Sequence, residues 1–84
     1  MVNDVQTPGG WDRIGERLRR RFEFPDFATA FAFMTKVAAL AEELDHHPDW
    51  SNSYNVVEIE LTSHDAGRLT DRDVEFAERI NALT

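Results

Sequence analysis

Imidazole groups are the side chains of this 84-residue sequence best suited to chemistry at neutral pH. The chain has 3 histidines: His46 and His47 stand side by side before Pro48, and His64 follows in a later segment. Because imidazole titrates near neutral pH, it can both donate and accept a proton. Glu42 lies one helical turn before His46 and could orient its ring, although an exposed charge pair would also explain it. The residues therefore favour a general acid–base site, provided that the fold brings both segments together.

Several nearby residues have both a functional and a structural interpretation. Asp73 is the third residue after Thr70, a spacing typical of the capping box at a helix start. Trp50 and Tyr54 could form the wall of a site for a flat aromatic substrate, or could belong to the core. A single histidine near a helix end is more often a solvated cap than an active group, and each of the three histidines has that alternative.

Other kinds of site have less support in the sequence. The chain has no cysteine, which excludes a disulfide framework and a thiolate zinc site. A three-histidine metal site is disfavoured, because the adjacent His46 and His47 cannot readily aim at one ion and no His-x-His spacing is present. There is no GxSxG motif and no glycine-rich phosphate loop, so neither a nucleophile elbow nor a nucleotide site is indicated.

The composition limits the partners and the location. With 9 Lys+Arg against 16 Asp+Glu, the net charge is -7 and the pI about 4.7, which disfavours binding to nucleic acids and to anionic membrane surfaces. No apolar run approaches the roughly 20 residues of a membrane span, and no signal-peptide pattern is present, so we expect a cytoplasmic protein. A chain this short without cysteines, but with 6 Phe and 2 Trp, favours self-association.

The spacing of apolar residues predicts the strands and helices that must position these histidines and carboxylates. Residues 1–10 are predicted to be a flexible lead-in and residues 11–84 a single domain. A short strand over 11–14 is expected to pair through a turn at Gly15 with a strand over 17–24. A helix should then run from Phe27 to about Asp45 or His46, where Pro48 disfavours its continuation. Its predicted inner stripe, widened by Phe33 and Leu40, comprises Phe27, Ala30, Phe31, Met34, Val37, Ala38, Ala41 and Leu44.

In the second half of the chain, a segment of alternating apolar and polar residues is followed by a segment with helical periodicity. Apolar residues Val57, Ile59 and Leu61 alternate with polar ones, which predicts a strand, and Tyr54 with the residues before it could form another. A turn over 65–67 precedes a second helix, whose predicted inner stripe is Val74, Ala77, Ile80 and Leu83. The short connections favour an α+β fold, an antiparallel sheet with its helices packed on one face. Such a sheet could bring His64 beside the end of the first helix.

From Trp11 to the C-terminus the sequence resembles the pterin-4a-carbinolamine dehydratase family, also called dimerisation cofactor of a homeodomain transcription factor. The resemblance rests on Glu42, the His46-His47-Pro48 run, Tyr54 and His64, together with Trp50 and Asp73. It implies a four-stranded antiparallel sheet backed by helices, assembled as a homodimer or a homotetramer. It also implies an enzyme that needs neither a metal nor a cofactor.

The implied reaction is the dehydration of 4a-hydroxytetrahydropterin, the 4a-carbinolamine left by aromatic amino acid hydroxylases, to quinonoid dihydropterin and water in tetrahydrobiopterin recycling. The catalytic residues that the resemblance implies are His46, His47, His64, Glu42 and Asp73. The implied substrate-binding residues are Asp45, His46, His47, Pro48, Trp50, Thr62, Ser63, His64 and Asp65. We expect His46 and His64 to transfer protons and His47 mainly to bind the pterin. The alternative is a non-catalytic partner-binding protein, a coactivator or an assembly chaperone, on the same scaffold.

Overall fold

The fold is an antiparallel sheet of four strands with two helices. A computed structural model describes residues 6–84. The elements are β1 (Asp12–Ile14), β2 (Arg17–Glu23), α1 (Phe27–Leu44), β3 (Asp49–Ser53), β4 (Val56–Leu61) and α2 (Asp71–Asn81). The strand order is β1-β2-β4-β3. The predicted α+β class, with a four-stranded antiparallel sheet, is confirmed.

Two-residue alternation separates the two faces of the sheet. On the face toward the helices, Leu18 lies opposite Leu61 and Phe22 opposite Val57, and all four side chains are buried. On the other face Arg17, Arg19 and Arg21 of β2 lie beside the glutamates of β4; Arg19, for example, bonds to a carboxylate oxygen of Glu58 at 3.0 Å. This pattern fixes the register, because a slip by one residue would turn the charged set into the core.

Helix α1 begins with a side-chain cap. The Oδ1 atom of Asp26 accepts hydrogen bonds from the hydroxyl of Thr29 at 2.7 Å and from its N–H at 2.8 Å. These two bonds lower the pKa of the Asp26 carboxyl, the hydroxyl more than the N–H, because both favour its charged form. The carboxylate also lies where the dipole of the helix favours negative charge.

The inner face of α1 differs in part from the predicted stripe. Phe33 is buried, 4.7 Å from the ring of Phe22 and 4.9 Å from that of Phe24, whereas Phe27 and Phe31 are 47% and 55% exposed. The helix carries apolar residues on more than one side, so its period alone does not say which side faces the sheet. The aromatic residues of β2 and its end decide that orientation. The buried residues are Ala30, Phe33, Val37 and Ala41.

Helix α2 and the chain start also pack onto the core. Phe76 is fully buried in α2, although the predicted stripe omitted it in favour of Val74 and Leu83, which are half-buried. Of the predicted lead-in, residues 1–5 lie outside the described residues. Within residues 6–10, Pro8 is buried and the carbonyl of Gly9 accepts a bond from the Asn81 amide at 2.9 Å.

Candidate active site

The three histidines meet at one open hollow of about 310 Å³. His46 and His47 come from the connection between α1 and β3, and His64 comes from the loop between β4 and α2. The antiparallel pairing of β3 with β4 brings these segments together, because the start of β3 lies beside the end of β4. The hollow is lined by Asp45, His46, His47, His64, Asp65 and Arg72.

A backbone reversal at the end of α1 sends the adjacent histidines in different directions. Asp45 has left-handed backbone angles, φ 50° and ψ 47°, and the N–H of His46 then donates to the carbonyl of Ala41 at 3.0 Å. Short polar residues such as aspartate tolerate this conformation better than most residues other than glycine. As a result His46 is only 7% exposed, whereas the His47 side chain is 58% exposed.

His46 is held by a fully buried carboxylate. Its Nε2 atom lies 2.5 Å from Oδ1 of Asp73, and Oδ2 of Asp73 accepts bonds from the Ser63 hydroxyl and the Thr70 N–H, both at 2.9 Å. A buried carboxylate is stable only when its oxygens are hydrogen-bonded, and here both oxygens have donors. Because the Ser63 hydrogen is used in this way, the Thr70 hydroxyl must donate to Ser63, 2.6 Å away. Asp73 therefore caps α2 with one oxygen and contacts the His46 ring with the other.

The second ring nitrogen of His46 is available to the hollow. Since Asp73 accepts a bond from Nε2, the neutral ring carries its proton there and presents a lone pair at Nδ1. Within residues 6–84 every buried polar side-chain atom has a hydrogen-bond partner, whereas Nδ1 of His46 has none. Nδ1 is therefore not buried, and it reaches the surface at the hollow that His46 lines. The edge of the Phe76 ring packs against the imidazole, with centroids 6.1 Å apart. The ring is thus fixed on one side and open on the other.

Each of the other two histidines also has a carboxylate. Nε2 of His47 lies 2.7 Å from Glu42, so the glutamate that was considered a partner of His46 instead contacts the next residue. The reversal at Asp45 explains this shift, because it removes His46 from the helical surface on which Glu42 lies. Nε2 of His64 lies 3.1 Å from Asp49, a residue that the sequence reasoning did not select.

Hydrogen bonds on both sides hold the loop that carries His64. The Ser63 carbonyl accepts a bond from the N–H of Gly67 at 2.9 Å, and Gly67 has a φ of 68°, which glycine adopts without strain. The Thr62 hydroxyl donates to the carbonyl of Glu16 at 2.7 Å, and the Glu16 side chain accepts the Leu69 N–H at 2.9 Å. Glu16, in the turn of the β1–β2 hairpin, therefore fixes this loop.

The remaining predicted residues do not line this hollow. Thr62 and Ser63 are buried; with His64 they border a neighbouring hollow of about 310 Å³. Trp50 is half-buried and packs against the core, and Pro48 is half-buried in the connection to β3. Tyr54 is 65% exposed, in the turn at the end of the β3–β4 hairpin remote from His64. It therefore belongs neither to this hollow nor to the core.

Arg72 is a lining residue that sequence reasoning missed. Its guanidinium donates to the carbonyl of Asp45 at 3.0 Å and lies 3.2 Å from the carboxylate of Asp65. It thereby links the two chain segments that carry the histidines. A single arginine at the exposed start of a helix has no distinctive sequence pattern, and only its position beside Asp73 connects it with the site.

Across residues 6–84, no group of three or more His, Cys, Asp or Glu side chains is arranged to hold a metal ion. The described part of the chain also contains no helix with the length and apolar character needed to cross a bilayer.

The fold and the site define a small α+β protein with paired histidines and carboxylates around an open hollow. The family profile for pterin 4 alpha carbinolamine dehydratase matches residues 2–83. The chain belongs to this family.

Relatives from two bacteria agree with the family profile. A protein of Rhizorhabdus wittichii, provisionally named pterin-4-alpha-carbinolamine dehydratase, is 59% identical over 80 residues, which are 95% of this chain and 82% of the relative. A protein of Prochlorococcus marinus (strain MIT 9303) with the same provisional name is 55% identical over 74 residues, 88% of this chain and 77% of the relative.

Two solved structures share the fold. A transcriptional coactivator/pterin dehydratase from Brucella melitensis has a TM-score of 0.85 at 43% identity and covers 88% of this chain and 81% of its own. A pterin dehydratase-like protein described as a RuBisCO assembly factor in the alpha-carboxysome has a TM-score of 0.71 at 31% identity, with coverage of 87% and 84%.

Proposed function

We propose that this protein dehydrates 4a-hydroxytetrahydropterin to quinonoid dihydropterin and water by histidine acid–base catalysis. The observation that carries the proposal is the meeting of His46, His47 and His64 at one hollow, each with its own carboxylate. Membership of the pterin carbinolamine dehydratase family supports the class of substrate. The hollow, at about 310 Å³, is of the size of sites that hold small molecules.

The reaction needs one proton donor and one proton acceptor. The bond between C4a and its hydroxyl oxygen breaks as that oxygen takes up a proton and leaves as water. N5 gives up its proton, and the electron pair of the N5–H bond forms the new C4a=N5 double bond. No oxidant or reductant is required, since one proton enters and one leaves. Each correctly placed acid or base typically contributes about 10²–10⁴-fold to the rate.

The proposal assigns the proton transfers to His46 and His64. A carboxylate bonded to one ring nitrogen of each stabilises the imidazolium that forms when the other nitrogen takes up a proton. His47, with Glu42, binds the pterin ring at the exposed side of the hollow. Asp45 and Asp65 line the hollow, and in this proposal their carboxylates accept hydrogen bonds from ring N–H and amino groups.

The cellular setting belongs to the same proposal. The protein acts in tetrahydrobiopterin recycling beside an aromatic amino acid hydroxylase, in the cytoplasm, as a homodimer or homotetramer. Phe27 and Phe31, whose rings lie 5.8 Å apart on the exposed side of α1, support self-association. Sedimentation analysis tests this part, and a purely monomeric sample at micromolar concentration would contradict it.

A non-catalytic role is the second candidate, and the relative described as a RuBisCO assembly factor favours it. A protein that only binds partners has no need of a buried His46–Asp73 pair with an open ring nitrogen. That pair is the reason for preferring the dehydratase.

A coupled assay separates the two candidates. An aromatic amino acid hydroxylase generates the carbinolamine, and the formation of quinonoid dihydropterin is followed with wild type, His46→Ala and His64→Ala. Lys36→Ala, on the exposed side of α1, is the matched control. We expect wild type and the control to accelerate the dehydration and both histidine variants to lose about 100-fold or more. Rates equal to the uncatalysed reaction for folded wild type would exclude the enzyme.

A further inference from the structure

Asp49 links the two segments that carry the histidines. It is the first residue of β3, directly after the His46-His47-Pro48 run, and its Oδ2 atom lies 3.1 Å from Nε2 of His64. The segment that supplies two histidines thus also supplies the carboxylate for the third.

Arg17 keeps Asp49 in place. Asp49 lies directly opposite Glu60 on the neighbouring strand, and two like charges in that position repel each other. Nη1 of Arg17 lies 3.1 Å from Asp49 Oδ2 and 3.1 Å from Glu60 Oε1, so one guanidinium bridges both carboxylates and offsets part of their repulsion. It reaches them from β2 across the sheet, which restricts the position of the Asp49 side chain.

His64 needs such a partner more than His46 does. Its side chain is 63% exposed, whereas His46 is enclosed and contacts the Phe76 ring. The hydrogen bonds of Ser63 and Gly67 fix the backbone of the loop but leave the χ angles of His64 free. An exposed side chain without a partner distributes over several rotamers. Across the part of the chain that the structure describes, Asp49 is the hydrogen-bond partner of this ring.

We propose that Asp49, held by Arg17, is a positioning residue that fixes the His64 ring at the hollow. By accepting a bond from Nε2, it selects one rotamer and leaves Nδ1 for the substrate. The orientation claim is independent of the reaction; its effect on catalysis rests on the proposed dehydratase function. Asp49 itself touches no substrate in this arrangement.

The test uses two variants of Asp49 and one matched control. Asp49→Ala removes the acceptor, whereas Asp49→Asn keeps an acceptor oxygen without the charge. Glu58→Ala removes another carboxylate from the same face of the sheet, one that pairs with Arg19 and has no contact with a histidine. The χ1 rotamer of His64 is measured by three-bond couplings in NMR spectra, and kcat and KM by the coupled assay.

We expect Asp49→Ala to average the His64 rotamers and to lower kcat by about tenfold while KM changes little. Asp49→Asn should keep the rotamer, and Glu58→Ala should match wild type in both measurements. A single unchanged rotamer of His64 in Asp49→Ala would overturn the proposal, and so would a similar loss of kcat in Glu58→Ala. If wild type has no dehydratase activity, the rotamer measurement still decides the orientation claim by itself, so the two proposals can fail separately.

Discussion

Replacing Asp73 by asparagine should reverse the hydrogen-bond direction at His46. The Oδ2 position receives two donors, the Ser63 hydroxyl and the Thr70 N–H. The backbone N–H cannot accept a bond, so the asparagine oxygen must occupy this position and the amide NH₂ must face His46. Nε2 of His46 then has to accept, and the ring proton moves to Nδ1, the nitrogen that faces the hollow. The variant thus keeps the shape of the site but inverts the tautomer.

These contacts determine the expected changes in kcat and in the free energy of unfolding. Because the open nitrogen changes from acceptor to donor, kcat should fall by about 10²–10⁴-fold. Stability should fall by about 1.5–3 kcal/mol, the typical contribution of a hydrogen bond to a charged group. A domain of this size has about 5–15 kcal/mol of stability, so Asp73→Asn should remain folded. Asp73→Ala would leave three donors unsatisfied, which makes it the less informative change.

Three measurements check this prediction. The coupled assay gives kcat, urea unfolding gives the free energy of unfolding, and long-range ¹H–¹⁵N spectra report which nitrogen of His46 carries the proton. Asp71→Asn is the control: it removes an exposed negative charge from the same first turn of α2 without touching His46. It therefore corrects for the interaction of either carboxylate with the helix dipole.

Either of two results would contradict a tautomer change at His46. One is folded Asp73→Asn protein with wild-type kcat. The other is a His46 ring that still carries its proton on Nε2 in that variant. If Asp71→Asn lost as much activity as Asp73→Asn, the charge of the helix start rather than the tautomer would be responsible.

Two further changes test other parts of the fold. Asp26→Asn should lower the melting temperature at pH 7. Since the pKa of Asp26 is lowered in the folded state, this contribution of the charge exists above about pH 4 and is lost as the pH falls through the folded pKa. Thermal scans of both proteins at pH 7 and pH 3 should therefore converge at the lower pH. A constant difference would contradict the role of the Asp26 charge, because asparagine keeps an oxygen that can cap the helix. Arg72→Lys keeps the charge but cannot bond to both Asp45 and Asp65. The loss of one of these contacts, of about 1 kcal/mol, should raise KM about fivefold and leave kcat nearly unchanged. An unchanged KM in the coupled assay would show that the link between Asp45 and Asp65 does not shape the hollow.

Much of the fold could be predicted because local patterns and packing agree. The alternation of Val57, Ile59 and Leu61 allows one register for β4, and Pro25 and Pro48 border the first helix. The exposure of Phe27 and Phe31 could not be predicted, because apolar residues lie all round α1 and only contact with the sheet selects the inner side.

The histidines of the site could be predicted from the sequence because histidine is rare in this chain. Three histidines are few enough to compare one by one, but carboxylates are abundant in this acidic chain. The pairing of carboxylates with imidazole rings depends on two features that the spacing of residues does not reveal. The reversal at Asp45 brings His47 into contact with Glu42, and the pairing of β3 with β4 brings His64 into contact with Asp49. Arg72 was missed for the same reason.

The backbone reversal at Asp45 affects how water can leave the hollow. A single peptide unit separates His46, at 7% exposure, from His47, whose side chain is 58% exposed. The hollow consequently has a sheltered wall, formed by His46 with Phe76 behind it, and an opposite margin open to solvent at His47 and His64. In the proposed dehydration, a water molecule released against the sheltered wall can depart across that margin without any displacement of sheet or helix.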